Sequence, residues 1–414
     1  MPVTRRLLLA AGAAAPFLGV AEAVRAAEPD LSSLRALTTG AAPIDRSERA
    51  RRLARAQQLM RANGLAAVVL EPGSSMIYFT GVRWSRSERP TLAILPVEGE
   101  PCIVTPFFEE PSVRESLAIK ASVRVWQEDE GAFGILAGFL RDRHLTGPVG
   151  VEETVRFFIS DGIGKAIGRR LVSANAIVRG CRMVKTPAEI ALMQAATDVT
   201  MSAYRWTYPR VEAGMTGPQV GALMNAATTK LGGDPEFALV LIGEASAYPH
   251  GSRETHRVAP GEVVLMDCGC TVQGYQSDVS RTWVHRAPSK AQRTVWEHVA
   301  QGQQLAFRTA QLGTPAGQVD DAVRRFYAGL GYGPDYRLPG LSHRTGHGIG
   351  LDGHEPVNLV RGEATPLVPG MCFSDEPGLY LPGKFGVRLE DCFHMTATGP
   401  RWFSQPPVSL DAPI

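Results

Sequence analysis

Four acidic residues and one histidine in the C-terminal half of this 414-residue sequence have the types and order of a metal-binding set. They lie in five short, distinctive segments, and they are Asp267, Asp278, His347, Glu376 and Glu390. Four carboxylates that converge on one point repel each other, so some keep their protons unless cations neutralise them. Two divalent ions supply the balancing charge, and oxygen-rich ligation with one imidazole favours six-coordinate metals such as Mn. The set therefore predicts a two-metal hydrolase.

The two aspartates are spaced for ligation from a pair of adjacent strands. Asp267 ends an apolar run, Val263 to Met266, which is typical of a buried strand. Asp278 follows after Gly274, a residue that permits a turn between antiparallel strands. One aspartate at a strand end is usually a cap or turn residue. Two in this arrangement, flanked by apolar sequence, are better explained as metal ligands.

His347 lies in a glycine-rich segment, and glycines occur where one backbone approaches another closely. A lone histidine is more often structural than a ligand. Here His343, His347 and His354 fall within twelve residues, and the glycines between them argue against ordinary core packing. Glu376 and Glu390 are separated by a glycine-containing segment, which predicts a second pair of strands.

The composition is that of a soluble globular protein with room for two domains. Hydrophobic residues make up 44% of the sequence and charged residues 20%. The 43 Lys and Arg residues nearly balance the 41 Asp and Glu residues. This balance argues against nucleic acid as a partner and against an electrostatically held membrane surface.

The first 26 residues predict an export signal. Arg5 and Arg6 precede an apolar run, Leu7 to Val20, and two small-residue cleavage sites follow, ending at Ala23 and Ala26. The paired arginines indicate the twin-arginine route and a periplasmic location. The run is too short for a comfortable membrane span, so no stable span is expected after cleavage. An uncleaved N-terminal anchor is the alternative.

Residues 45–180 alternate helical and strand patterns and predict an α/β domain without a catalytic motif. A helix is predicted over Arg51 to Asn63, and strands are predicted over Ala66 to Leu70, Thr91 to Pro96 and Pro101 to Thr105. The last two strands flank a Glu-Gly-Glu segment and so predict a hairpin.

Residues 181–410 contain four predicted helices, and the strand-and-turn segments between and after them carry the candidate ligands. Capping boxes start three of the helices at Thr186, Thr216 and Ser289, and Thr314 with the following proline starts the fourth. The sequence at 214–220 is similar to that at 313–319, which hints at an internal duplication.

Two cysteines beside Asp267 raise the alternative of thiolate ligation. Successive side chains of a strand point to opposite faces, so Cys268 and Cys270 should face away from the side of Asp267. Small buried core residues are therefore the favoured interpretation. The sequence leaves the disulfide state of its six cysteines open.

Taken together, these segments resemble the metallopeptidases of the creatinase/aminopeptidase ("pita-bread") fold, particularly aminopeptidase P and prolidase. The resemblance covers nearly all of the chain after the export signal, and all five ligand positions occur in order. It implies an α/β N-terminal domain at 45–180 plus an α+β pita-bread C-terminal catalytic domain at 181–410. It also implies a homodimer and two divalent metal ions, with Mn favoured over Co, Zn or Fe.

The resemblance assigns a role to each metal ligand. Asp267 would bind one metal and His347 the other, while Asp278 and Glu390 would bridge the pair. Glu376 would complete the site and move protons between the attacking water and the leaving nitrogen. A hydroxide between the metals would attack the carbonyl of the bond between an N-terminal residue and a proline at the second position.

Four further residues receive roles from the resemblance. His354 would stabilise the oxyanion that develops on the substrate. His250 matches a further active-site histidine, and His343 would contact the residue after the scissile bond. Arg388 would brace the site as a cation beside Glu390.

Two features conflict over the length of the peptide. In short prolidases an arginine soon after the His-Glu pair holds the free carboxylate of a dipeptide, but here the first arginine after Glu355 is Arg361. The compact spacing of Glu376 and Glu390, by contrast, is that of small prolidases.

Three other functions are alternatives. The same metal site could act on a non-peptide substrate, as a lyase or phosphoester hydrolase. A metal-free creatinase-like amidinohydrolase and a non-catalytic binding protein are disfavoured, because such family members tend to lose metal ligands and this sequence keeps all five.

Overall fold

The computed structural model describes residues 29–414, and the first part of this range is an α/β layer. Its sheet has six strands in the order β4-β3-β2-β1-β5-β6, with mixed parallel and antiparallel pairing. In chain order the elements are α1 (Arg46–Ala62), β1 (Ala67–Leu70), α2 (Ser74–Thr80), β2 (Leu92–Pro96), β3 (Cys102–Pro106), α3 (Glu110–Ser116), β4 (Ser122–Trp126), α4 (Ala132–Asp142), β5 (Val149–Val151), α5 (Phe157–Ile167), β6 (Val172–Ser173) and α6 (Asn175–Arg182).

The predicted elements of this layer form with small shifts in their ends. The predicted hairpin is confirmed, since β2 and β3 pair antiparallel. The first helix starts at Arg46, before the predicted Arg51, because Asp45 caps it by accepting a hydrogen bond from the Glu48 backbone N–H at 2.7 Å. The export signal predicted at 1–26 lies outside the described residues.

The second part of the chain combines helices with a four-stranded sheet, a five-stranded sheet and a two-stranded hairpin. Its helices and first strands are α7 (Pro187–Thr207), α8 (Gly217–Leu231), β7 (Asp234–Ile242), β8 (Val263–Val272), β9 (Tyr275–Gln276), β10 (Val279–Val284), α9 (Lys290–Thr309) and α10 (Ala316–Gly329). The remaining strands are β11 (Gly346–Gly348), β12 (Glu355–Leu359), β13 (Cys372–Asp375), β14 (Gly378–Leu381), β15 (Phe385–Arg388), β16 (Asp391–Thr396) and β17 (Gly399–Trp402).

All three predicted capping boxes are present, at Thr186, Thr216 and Ser289. The hint of duplication extends from sequence to backbone contacts. Gly214 N–H donates to Val258 O at 2.8 Å before α8, and Gly313 N–H donates to Leu367 O at 2.9 Å before α10. The segment that precedes each helix is therefore hydrogen-bonded in the same way to a later segment of the chain.

One hydrophobic cluster joins the two parts of the chain. It contains Met60 and Phe79 from the first layer together with Leu192 and Met193 of α7, all of them buried. The same cluster holds Cys268 and Cys270, as predicted, and all six cysteines are buried and unpaired. Within the described part of the chain, no helix is both long and apolar enough to cross a membrane.

Candidate metal centre

The first two candidate ligands project from the hairpin of β8 and β10. In its register Asp267 lies opposite Ser280, so Asp278, just before β10, is a diagonal neighbour of Asp267 on the same face. Gly274 has φ +86° in the connecting turn, as expected for a residue there. The strand extends beyond the apolar run, because β8 continues to Val272 and pairs with β9 beyond Asp267.

His347 lies at the centre of β11, which is enclosed by strands on both sides. A Cβ atom at Gly348 would lie 2.6 Å from Glu355 O, so the strands approach too closely for a side chain there. The His347 Nδ1–H donates to Gly348 O at 3.0 Å. Because Nδ1 carries the proton, the lone pair of Nε2 is available to a metal ion. Nε2 lies 3.4 Å from Glu376 Oε1 and 3.7 Å from Asp278 Oδ2.

The two glutamates flank the hairpin of β14 and β15, which confirms the second predicted strand pair. Glu376 is anchored by its backbone N–H, which donates to Thr345 O at 2.9 Å. Glu390 is joined to Ser280 by two backbone hydrogen bonds, of 3.2 and 3.1 Å. The Ser280 hydroxyl also donates to Glu390 Oε2 at 2.8 Å. This bridge brings the aspartate hairpin to the glutamate hairpin.

The five side chains form overlapping groups of donor atoms. Asp267, Asp278 and Glu390 each offer an oxygen within 4.8 Å of the others, and His347, Glu376 and Glu390 form a second such group. Asp278 and His347 form a third with His354. No cysteine belongs to any of these groups in the described residues.

The donor set fits divalent cations. Asp267 Oδ1, Asp278 Oδ1 and Glu390 Oε1 are buried and lack a hydrogen-bond partner among the described residues. Burial and neighbouring carboxylates raise the pKa of Asp278 and of Glu390, and burial raises the pKa of Glu376 to about 7. Buried acceptors that repel one another and lack donors are what cations satisfy. Oxygen ligands with one imidazole suit hard or borderline metals.

Arg388 is a buried cation of this centre. Its guanidinium donates to Asp267 Oδ2 at 2.7 Å, to the Ser280 hydroxyl at 3.0 Å and to the Tyr380 hydroxyl at 3.1 Å. It was expected beside Glu390, but it contacts Asp267 directly and reaches Glu390 through Ser280. Arg388 therefore orients one aspartate and one serine around the donor groups.

The three other candidate histidines line the same cavity, which has a volume of about 340 Å³. The His354 ring lies edge-on to His347 with centroids 4.1 Å apart, and His250 is exposed on the cavity wall. His343 Nε2 accepts from the Tyr380 hydroxyl at 2.7 Å, and its Nδ1–H donates to Arg344 O at 2.8 Å. Burial, helped by Arg388, lowers the pKa of His343 to about 3, so this ring is neutral.

The sequence shows strong similarity to known peptidases. It matches metallopeptidase family M24 over residues 191–397 and the Creatinase/Prolidase N-terminal domain over residues 52–184. It is 32% identical over 365 residues to a probable dipeptidase, PepE, of Mycobacterium bovis, which amounts to 87% of this chain and 95% of that protein. The chain belongs to metallopeptidase family M24.

Two further relatives agree with this M24 assignment. A Xaa-Pro dipeptidase of Lactobacillus helveticus is 34% identical over 233 residues, 56% of this chain and 62% of that protein. The crystal structure of dipeptidase PepE from Mycobacterium ulcerans has a TM-score of 0.81 at 32% identity and covers 89% of this chain and 98% of that one. The predicted pita-bread architecture and the predicted metallopeptidase activity are therefore confirmed, and the family implies divalent metal ions.

Some residues of this M24 centre were not among the sequence candidates. Tyr336, Arg344 and Val360 line the cavity, while Tyr380 and Ser280 connect Arg388 to its neighbours. Arg344 directly follows His343 and precedes the glycine-rich segment, so its position was a usable signal. The roles of Tyr380 and Ser280 depend on partners far away in the sequence and carry no local signal.

Proposed function

We propose that this protein is a two-metal peptidase that hydrolyses the bond between an N-terminal residue and a following proline. The observation that carries the proposal is the overlap of the donor groups, because Asp278, His347 and Glu390 each belong to two of them. Shared carboxylates of this kind would help to hold two cations, with Asp267, His347 and Glu376 as the further ligands. Two such ions, with Mn favoured, activate water and polarise a carbonyl oxygen when bound.

Side chains of the protein perform the proton transfer, bind the substrate and orient the ligands. The Glu376 carboxylate lies 3.4 Å from His347 Nε2 within the donor groups, so it is placed to accept a proton from the attacking water and return it to the leaving nitrogen. His354, on the open side of His347, is placed to donate a hydrogen bond to the substrate carbonyl oxygen. Arg388 holds Asp267 in place. Neutral His343 and exposed His250 form the walls where the peptide lies.

The preferred substrate is a dipeptide, because the cavity wall carries a cation without a partner. Arg344 is half-buried there and has no ion pair or side-chain hydrogen bond among the described residues. Arg361 instead pairs with Asp321 at 3.1 Å and with Asp335. Arg344 is thus the arginine free to bind the carboxylate that a dipeptide presents one residue beyond the scissile bond. The name of the L. helveticus relative supports both the dipeptide and the proline.

Paired substrates test this function. The protein, reconstituted with Mn(II) and also after chelation, is given an Xaa-Pro dipeptide and an Xaa-Pro-Xaa tripeptide. Chelator-sensitive cleavage of the dipeptide is expected. Glu376→Gln should lower kcat by about 100-fold or more, because it removes the proton carrier and a ligand. Glu297→Gln, at an exposed position of α9, is the matched control. If two metals stay bound and neither peptide is cleaved, the substrate is not a prolyl peptide.

We also propose that the protein is exported by the twin-arginine route and acts in the periplasm as a homodimer. The support is the Arg5-Arg6 pair, the apolar run after it and the resemblance of the chain to dimeric peptidases. Replacing both arginines by lysine should retain the protein in the cytosol, which cell fractionation measures. Sedimentation of the purified protein at a single mass of one chain would contradict the dimer.

A further inference from the structure

The segment that carries His354 is held by residues from the N-terminal part of the chain. The Glu355 carboxylate pairs with Arg182, the last residue of α6, and with Lys185 Nζ at 2.9 Å. Arg182 Nη2 also binds Asp352 Oδ2 at 2.7 Å. These four residues, Arg182, Lys185, Asp352 and Glu355, form what we call the Glu355 cluster. It connects the end of the first layer to the loop between β11 and β12.

The loop closes tightly around the cluster. Glu355 Oε1 accepts hydrogen bonds from the backbone N–H groups of Leu351 at 3.0 Å and Asp352 at 3.1 Å. A Cβ atom at Gly350 would lie 2.7 Å from Lys185 Cε, so the loop backbone rests directly against the lysine. The backbone on both sides of His354 is therefore fixed by one carboxylate and its two cations.

Three side chains of the cluster are largely buried, whereas Asp352 is 47% exposed. Side-chain exposure is 4% for Glu355, 2% for Lys185 and 11% for Arg182. Burial by itself raises the pKa of Glu355, but Lys185 and Arg182 lower it to about 2. Charge pairs that have lost their water hold their geometry strongly, because a lost partner leaves an uncompensated buried charge.

The cluster also lies next to the metal ligands. Glu355 is the cross-strand partner of Gly348, which directly follows His347. The His354 ring projects from this point and lies 4.1 Å from the His347 ring, centroid to centroid. A displacement of Glu355 would therefore move the His354 backbone relative to the donor groups.

We propose that Arg182, at the end of the first layer, and Lys185, in the link between α6 and α7, are positioning residues for His354, so that the first layer takes part in catalysis through Arg182 and the Glu355 cluster. The inference rests on the proposed function, in which His354 contacts the substrate carbonyl oxygen. No residue of the first layer lines the cavity. The proposal therefore assigns this layer an indirect role in the reaction.

The test compares two arginines of the same helix. Arg182→Gln should lower kcat for an Xaa-Pro dipeptide by about 10- to 100-fold with little change in KM and with the metal content unchanged. Arg179→Gln is the control, because Arg179 pairs with partly exposed Glu153 and not with the loop. In a His354→Ala background Arg182→Gln should have no further effect, since the residue it positions is absent. An equal loss in that background, or equal behaviour of the two arginine variants, overturns the proposal.

A second readout separates this inference from the proposed function. In the full-length protein loaded with Zn(II), the imidazole NMR signal of His354, assigned with His354→Ala, should shift in Arg182→Gln and stay in place in Arg179→Gln. Arg182→Lys keeps the positive charge but can bind fewer of the partners of Arg182. It should therefore shift the His354 signal less than Arg182→Gln does, and its kcat should lie between those of Arg182→Gln and the unaltered protein. Unchanged His354 signals in both Arg182 variants overturn the inference. Absence of prolyl-peptide cleavage by the unaltered protein overturns only the proposed function.

Discussion

At the scale of single residues, hydrogen-bond partners decide what a buried carboxylate does in this protein. Asp375 and Asp391 face each other across β13 and β16, and both are fully buried. Neither carboxylate oxygen of Asp375 has a hydrogen-bond partner among the described residues. Burial raises the pKa of Asp375, and the nearby charge of Asp391 raises it further. Asp391 accepts from Arg281 at 2.7 and 3.2 Å and from Gln303 at 3.1 Å.

Replacing these two aspartates should therefore change stability in opposite directions. Asp375→Val removes a desolvated group without a partner and should stabilise the metal-free protein by about 1 kcal/mol or more. Asp391→Val leaves the Arg281 guanidinium buried and unpaired, which should cost about 3–5 kcal/mol. Denaturant unfolding of the metal-free variants measures both free energies. A destabilised Asp375→Val protein would contradict this account of its carboxyl group.

A second prediction at this scale concerns the two arginines near the cavity. Arg344→Gln should raise KM for an Xaa-Pro dipeptide by about 10- to 100-fold, because a hydrogen bond between charged groups is lost. The C-terminal amide of the same dipeptide lacks the charge, so its KM should change little. Arg361→Gln is the control, since Arg361 is engaged by Asp321 and Asp335. Equal effects of the two variants on the dipeptide would refute the role of Arg344.

At the scale of elements, glycines set how closely helices and strands approach. Gly217 begins α8, and a Cβ atom there would lie 2.5 Å from Val240 O of β7. Gly134 lies inside α4, and a Cβ atom there would have no neighbour within 4 Å. The two positions have the same residue type in the same element type, and only the neighbouring backbone differs.

Substituting each glycine by alanine tests this difference. Gly217→Ala should destabilise the protein by about 1–3 kcal/mol, because α8 must move away from β7. Gly134→Ala should stabilise it by about 0.5–1 kcal/mol, because alanine loses less backbone entropy than glycine in a helix. Thermal unfolding under identical conditions compares them. Similar melting temperatures for the two variants would show that the α8–β7 contact is loose.

At the scale of the whole molecule, the proposed metal ions and protons would compete for the same carboxylates. Burial raises the pKa of Glu376 from 4.5 to about 7, and the pKa values of Asp278 and Glu390 are also raised. The folded metal-free protein therefore keeps protons that the unfolded chain has lost. The stability that Glu376 contributes is complete below about pH 4 and is lost as the pH rises through about 7.

The stabilisation by metal should accordingly grow with pH. Between about pH 5.5 and about pH 7.5 the difference in Tm between the Mn(II)-loaded and metal-free protein should increase, because cations replace the departing protons. Melting curves of both forms at constant metal concentration measure this difference. Calorimetry in two buffers of unlike ionisation heat should detect proton release on binding near pH 6.5. A difference in Tm that is constant or shrinks with pH would contradict the assignment of these carboxylates as ligands.

Much of this protein was predictable from its sequence because the relevant signals are local. Helix starts at Thr186, Thr216 and Ser289 depend on residues three apart, and all three form as predicted. The strand pairs around Gly274 and between the two glutamates follow from turn residues. The M24 family follows from the order and local context of five side chains. The apolar run Val263 to Met266 marks only the first part of β8, because the strand continues to Val272 through its pairing with β9.

The sequence by itself determined the family and the candidate residues for the chemistry, since both depend on residue types and their neighbours along the chain. Only the tertiary structure decided their partners. Arg388 meets Asp267 across 121 positions, and Arg182 meets Glu355 across 173 positions. Among the described residues Arg344 lines the cavity without an ion pair, whereas Arg361 is engaged by Asp321 and Asp335. Pairings over such separations are set by how whole sheets and helices pack, and no local pattern of residue types encodes that packing.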